Sequence, residues 1–268
     1  MAGLGCGKPS DNSGSDVSTQ AAAMPTNEVH LEVVSYDPIT QLEGKEVRFD
    51  RGDPNQFRIG SVIHAALRKM KNQAKADSRG LKLVPSRAVS VMSIEEIGQL
   101  TELDLTGRRL SSVEGLSRLT HFTSLYLSEN RLSRLQPLAK HKNLLALTLD
   151  ENQLDDLAAL SGLTSLNLLS LDSNLISNLE PLAELTQIKY LYLGNNRIAR
   201  IESLNKLENL VTLDLSANQI TVLDSLHSLS NLRSLGLFDN EGLKMSEIKE
   251  LQKALPNCII NHNVEEGQ

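Results

Sequence analysis

Between Leu100 and Leu243 the apolar positions recur every 22 residues. Counting each unit from its first apolar residue, position 4 is Leu at 103, 125, 147, 169, 191, 213 and 235. Position 6 is Leu at 105, 127, 149, 171, 193, 215 and 237. An apolar–polar–apolar alternation of this length predicts a short strand whose positions 4 and 6 point into a core and whose position 5 faces outward. Further apolar rows follow at position 11 (Leu110 to Ile220), at Val113 to Leu223, at Leu116 to Leu226, and at Leu119 to Leu229, where His141 interrupts the last row. Their spacing of three suits a turn of 3₁₀ or irregular helix on the return leg, opened by Pro137 and Pro181 in two units. No long helix fits in a unit this short. A fixed short period means a solenoid, in which each unit buries its apolar side only against its neighbours.

The polar signal has the same period. Asn occupies position 9 at 130, 152, 174, 196, 218 and 240, and Arg108 stands there in the first unit. An Asn side chain has donors and an acceptor for the backbone of the turn leaving the strand, so Asn130, Asn152, Asn174, Asn196, Asn218 and Asn240 are expected to form a structural ladder. L-x-x-L-x-L-x-x-N at this period is the signature of leucine-rich repeats. The expected fold is an α/β leucine-rich repeat solenoid of seven repeats over 100–243. It has short parallel strands on the concave face, 3₁₀ or irregular turns on the convex face, and helical caps.

Outside the repeats the pattern changes. Residues 1–27 are rich in Gly, Ser, Asp and Asn without an apolar period, and read as a disordered tail or tether. Residues 28–44 contain one alternating stretch, Val29 to Val33, whose partner is open. Residues 45–99 read as an N-terminal helical cap. One helix is expected over 53–75, with Phe57, Ile59, Val62, Ile63 and Met70 on its apolar side, and a short one follows a capping box at Ser93 and Glu96. A cap is needed because the first repeat otherwise presents bare Leu to water. Residues 244–262 read as the C-terminal cap: a helix from Ser246, its N-cap, to Leu255, then an extended piece at Cys258 to Ile260. Residues 263–268 form a solvated tail.

Charge adds one contrast. Residues 44–87 hold eleven basic and four acidic residues, whereas 100–243 hold twelve basic and seventeen acidic. The basic stretch has no aromatic interleaving and no nucleic-acid motif, so no nucleic acid is expected as partner. What it contacts is left open. No apolar run reaches the roughly 20 residues of a membrane helix. Cys6 and Cys258 are too far apart in the pattern to suggest a disulfide framework. Leu4-Gly5-Cys6 is read in two ways. One is the end of a trimmed lipoprotein signal, with Cys6 as the candidate lipidation site and membrane tether. The other is an ordinary tail with an incidental Cys.

No catalytic constellation is present. None of the six His pairs at helical spacing, G-x-S-x-G and H-E-x-x-H are missing, and Gly3 to Ser10 fails as a phosphate loop because Pro9 follows Lys8. The expectation is therefore no enzyme, no cofactor and no metal. Function is expected on the concave face, where residues vary without touching the core. The candidate protein-binding residues are Tyr126, Asp150, Glu151, Leu168, Asp172, Tyr190, Tyr192 and Phe238, centred on Leu168, Tyr190 and Tyr192. Tyr buries a large rigid surface at low entropy cost, and the acids favour a partner with a basic patch.

The chain resembles the 22-residue leucine-rich repeat proteins, and among them the bacterial internalin-like ones. Phe49 to Asn55, Val62 to Arg68 and Leu100 to Gly115 look like an internalin cap feeding its first repeat, and the Leu-x-Pro-Leu segments around Pro137 and Pro181 fit that family's convex side. The resemblance implies a protein-binding module of the cell envelope or extracellular space that engages a protein ligand through the concave face. Two alternatives stay open: an envelope-tethered scaffold without a dedicated ligand, and an intracellular regulator of an enzyme such as a phosphatase, whose repeats are similar.

Overall fold

In the computed structural model the described residues are 46–47, 62–63, 92–93 and 97–266. By internal contacts the chain divides into Met1–Asp37 and Pro38–Gln268, and all described residues lie in the second unit. Cys6, the tail over 1–27, the strand at Val29 to Val33 and most of the expected helical cap fall outside them.

Within the repeats, the alternation at positions 3–5 produces seven three-residue strands: β3 (Glu102–Asp104), β4 (Ser124–Tyr126), β5 (Ala146–Thr148), β6 (Leu168–Ser170), β7 (Tyr190–Tyr192), β8 (Thr212–Asp214) and β9 (Ser234–Gly236). β10 (Ile259–Asn261) follows the C-terminal helix and completes an eight-stranded parallel sheet, in sequence order from β3 to β10. From β3 to β9 the register advances by one period per strand, so Leu103, Leu125 and Leu147 stand side by side, as do Leu169, Leu191 and Leu213. A separate antiparallel pair joins β1 (Glu46–Val47) to β2 (Met92–Ser93).

Every position-4 and position-6 Leu is buried. Each strand gives its inward side chain to a continuous stack of like residues, which supplies the non-directional part of the stability at roughly 1.5–3 kcal/mol per fully buried side chain. The return legs close the other side. Short 3₁₀ turns such as Gln136–Leu138 and Glu180–Leu182 bury Leu138 and Leu182 and carry Pro in the first turn. In three repeats a polar residue two positions before the turn fixes it by a local side-chain bond. Ser112 Oγ, Asp156 Oδ1 and Asn178 Oδ1 accept the N–H of Glu114, Ala158 and Glu180 at 3.1, 2.8 and 2.9 Å.

The Asn column lies inside, as its spacing predicts. Asn174 Oδ1 accepts the Leu154 N–H at 3.0 Å, and its amide donates to the carbonyls of Leu149 and Leu171 at 3.0 Å each. The other five repeat this set, so each Asn binds its own turn and the preceding repeat. The residue before each Asn is left-handed: Glu129, Glu151, Ser173, Asn195, Ala217 and Asp239 have φ of 52–58°. For residues with a Cβ that conformation costs roughly 1–2 kcal/mol each. It aims the next side chain inward and leaves the residue's own N–H for the neighbouring coil, as in Glu151 N–H to Asp172 O at 2.9 Å. In the first repeat the equivalent left-handed residue is Gly107, and beside Arg108 a second one, Arg109, is left-handed too.

The C-terminal end differs from expectation in detail. Helix α1 spans Met245–Ala254, with Lys244 rather than Ser246 at its N-cap. Ser246 sits within the first turn. The anchoring acceptor is instead Glu247, whose Oε2 takes the Leu223 N–H at 3.0 Å. Ile248, Leu251 and Leu255 are buried, and Cys258 is buried and free. At the other end Ile63 and Ile97 are fully buried in the same core as the repeats. Ser93 lies in β2, and residues 94–96 of its expected capping box are outside the described residues. No described helix is long and apolar enough to cross a membrane.

Candidate functional site

The strands place their outward residues on one open sheet face. Neighbouring strands set Leu168 beside Tyr190, and Ser170, Tyr192 and Asp214 in a row. Leu168, Tyr190 and Tyr192 are therefore brought together, each half-buried by its neighbours. Tyr126 lies on β4, with Thr148 and Ser170 between it and Tyr192 in the same row. Phe238 is exposed at 44 % on the turn leaving β9, away from the pair of Tyr. Position 3 is less open than its place on a strand suggests: Ser124 and Ala146 are both buried.

The acids beside this face divide by what binds them. Asp150 is used internally. Its Oδ1 accepts the Asp172 N–H at 3.0 Å and the Ser170 hydroxyl, and its Oδ2 accepts the Ser128 hydroxyl at 3.0 Å. Ser128 Oγ in turn accepts the Asp150 N–H. Asp172 continues the series, its Oδ1 accepting the Gly194 N–H at 2.6 Å. Positions 7 of three consecutive repeats thus form a second ladder, in which each side chain holds the backbone of the next repeat. Only spacing and chemistry together could have found it: Ser128, Asp150 and Asp172 are acceptors at one period, ending at a Gly. Glu151 belongs to neither ladder. It is exposed and left-handed, at the turn.

Electrostatics single out Asp172. Burial raises its carboxyl pKa to about 7, the nearby Asp150 charge adds to the rise, and the Gly194 N–H opposes it. Tyr192 is raised as well, by burial first and then by Asp172, Tyr190 and Asp214. Tyr126 rises through burial and the Glu102 charge.

Two His are buried on the return side near the first repeats. His121 Nε2 contacts Ile97 O at 3.1 Å and His141 Nδ1 contacts Leu138 O at 3.2 Å, while the other ring nitrogen of each has no partner. Burial lowers both pKa values, that of His141 to about 4, so both rings are neutral at pH 7. His141 is completely buried, a Leu position filled by an imidazole. Among the described residues no three His, Cys, Asp or Glu side chains gather as a metal-binding group.

A continuous Leu-lined sheet, an inner Asn ladder and an open strand face define a leucine-rich repeat solenoid. Residues 186–221 match the family described as Leucine Rich repeats (2 copies). Among solved structures the chain is similar to an internalin (inlF) from Listeria monocytogenes, at 30% identity and a TM-score of 0.60, over 65% of this chain and 52% of that one. It is similar also to internalin C2 from Listeria monocytogenes, at 25% identity and a TM-score of 0.56, over 77% of this chain and 92% of that one. A leucine-rich repeat protein of Leptospira interrogans is 28% identical, with a TM-score of 0.55, over 62% of this chain and 45% of that one. No curated protein matches the chain. The solenoid is closely related to the bacterial internalin-type leucine-rich repeat proteins, and the chain spans about half the length of the first of these relatives.

Proposed function

We propose that the chain is a non-catalytic protein-binding module whose strand face, the concave one in such solenoids, carries the contact. One observation supports this most: Leu168, Tyr190 and Tyr192 lie on adjacent strands of a parallel sheet whose outward side no described element covers. Large rigid side chains gathered in this way make the centre of a binding surface. The partner is a protein with a basic patch, since Asp172 lies beside the aromatic pair and, among the described residues, forms no ion pair. Internalin-type relatives favour a place at the cell surface or beyond it, and in that setting Cys6 is the lipid attachment point.

The test is capture of partner proteins by the wild-type chain and by a Tyr190→Ala/Tyr192→Ala double variant of equal thermal stability. Loss of the captured proteins is expected, and an unchanged set would overturn the reading. Attachment at Cys6 is checked separately, by mass spectrometry of the mature protein. An unmodified thiol there would remove the tether and leave the module.

A further inference from the structure

The binding reading leaves open which chemistry the face selects, and the charge distribution narrows it. Between Lys142 and Lys189 the chain has no Lys or Arg, while Asp150, Glu151, Asp155, Asp156, Asp172, Glu180 and Glu184 all fall there. Most of this charge is dispersed over turns and return legs. Two carboxylates of the strand-face region are different. Asp172 gives Oδ1 to the Gly194 N–H, and Asp214 gives Oδ1 to the Ser216 N–H at 2.9 Å. Among the described residues, the second oxygen of each accepts no hydrogen bond and neither acid forms an ion pair.

Both carboxylates depend on a neighbouring Gly. A Cβ at Gly194 would stand 3.3 Å from Asp172 Oδ1, and one at Gly236 would collide with Asp214 Oδ1. Neither Gly has a left-handed backbone, so what they supply here is space around an acid. Tyr192 lies between the two acids. It is in strand register with Asp214, and both carboxylates act on its phenol. The result is an aromatic ring flanked by two half-buried acids on an open sheet face.

We propose that Asp172, Tyr192 and Asp214 form the docking site for an arginine side chain of the partner protein. This rests on the strand face being the binding surface. A planar guanidinium stacks on an aromatic ring and has donors on both edges, so one side chain satisfies two acids separated by a Tyr. A Lys ammonium, a compact point charge, reaches one of them. Asp150 holds Asp172 in place and is not itself a contact, because both its oxygens are already engaged. The unfavourable setting of the Asp172 charge, created by burial, Asp150 and Asp214, is what a bound cation relieves.

The probe is acetyl-triarginine amide, titrated into the full ¹⁵N-labelled chain, with tricitrulline as its neutral isostere and trilysine as the point-charge analogue. Triarginine is expected to shift the amides of Asp172, Tyr192, Gly194 and Asp214. Tricitrulline should leave them unmoved, and trilysine should bind more weakly. An Asp172→Asn/Asp214→Asn variant should lose about tenfold in affinity, while an Asp155→Asn/Glu180→Gln variant, which removes as much charge from the return legs of the same region, keeps it. Wild-type affinity should fall about threefold or more from pH 8 to pH 6 as a proton takes Asp172, and this fall should vanish in Asp172→Asn. Equal losses in the two double variants, or equal binding of tricitrulline, would overturn the proposal. Far-UV circular dichroism and melting of each variant separate lost binding from lost folding. The two readings also fail separately. If Tyr190→Ala abolishes partner capture while triarginine does not bind the wild type, the face stands and the arginine site falls. If triarginine binds as expected while capture is insensitive to the Tyr substitutions, the affinity of these side chains for arginine stands, but the strand face falls as the partner's contact surface and the docking role falls with it.

Discussion

Two ladders run through these repeats and solve the same problem with opposite chemistry. The inner one, from Asn130 to Asn240, is neutral, buried and uniform. Each Asn accepts an N–H from the preceding repeat and donates to carbonyls there and in its own turn. The outer one, Ser128, Asp150 and Asp172, is partly charged and half-buried, and each side chain holds the N–H of the following repeat. An amide can satisfy donors and acceptors together, whereas a carboxylate only accepts. The inner site requires both, so it admits one residue type. The outer site requires an acceptor alone, so Ser, Asp or nothing at all serves, and the surplus charge is available for other uses.

That contrast is broken most severely from the inside. Asn174→Ala strands the Leu154 N–H in the interior, where an unpaired polar group costs about 1–3 kcal/mol, and removes one of the two donors to each of the Leu149 and Leu171 carbonyls, which keep Asn152 and Asn196. A loss of about 2–3 kcal/mol is expected in chemical denaturation. Because coupling in a solenoid is between neighbours, the unfolding should also lose cooperativity. A loss under about 1 kcal/mol would mean that the ladder is ornamental.

The return leg provides the next step down. His141 fills a Leu position and leaves Nε2 without a partner, while Leu138 O also accepts the His141 backbone N–H and would stay satisfied without the ring. His141→Leu should therefore gain about 1–2 kcal/mol at pH 7. The folded pKa is depressed to about 4. The unfolded chain then binds more protons between about 6.5 and 4, and the wild type loses stability as pH falls through that window. His141→Leu should flatten this acid limb, as urea denaturation at pH 7 and pH 5 will show.

The outer ladder comes third. Asp172 is the opposite case, because its folded pKa is raised to about 7. The folded state holds the extra proton, so stability is greatest below the ordinary Asp value near 4 and declines as pH rises through about 7. Asp172→Asn, which still offers an oxygen to the Gly194 N–H, should gain about 1–2 kcal/mol at pH 8 after allowance for solvent screening, and little at pH 4. A gain in stability with a loss of arginine binding is the pattern of a residue kept for function.

These two ladders were not equally legible. The inner one could be read from spacing because its demand for both donor and acceptor fixes the residue. The outer one could not: Asp150 looks like a partner contact until Ser128 and Ser170 from adjacent coils are seen to occupy both its oxygens. The Leu rows, the return turns and the terminal strand at Ile259 were plain in the pattern, since burial imposes one chemistry on every repeat. The N-cap of α1 was not, because Lys244 makes no side-chain cap and Glu247 is held by a backbone N–H from another repeat. The left-handed positions were hidden most completely. Their occupants, Glu129, Glu151, Ser173, Asn195, Ala217 and Asp239, share no side-chain chemistry, only a backbone angle imposed by the Asn that follows.

Glu151 is the smallest and sharpest test of that last point. In sequence it is one of three acids beside the aromatic pair, yet its structural role is a left-handed turn residue with an exposed side chain. Replacing it by Gly removes roughly 1–2 kcal/mol of left-handed strain and adds roughly 0.5–1 kcal/mol of unfolded-state entropy. Glu151→Gly should thus gain about 0.5 kcal/mol, with arginine binding intact, as read by denaturation and by the triarginine titration. If it instead weakens binding as much as Asp172→Asn does, charge on this face acts diffusely, and the division between turn residues and site residues fails.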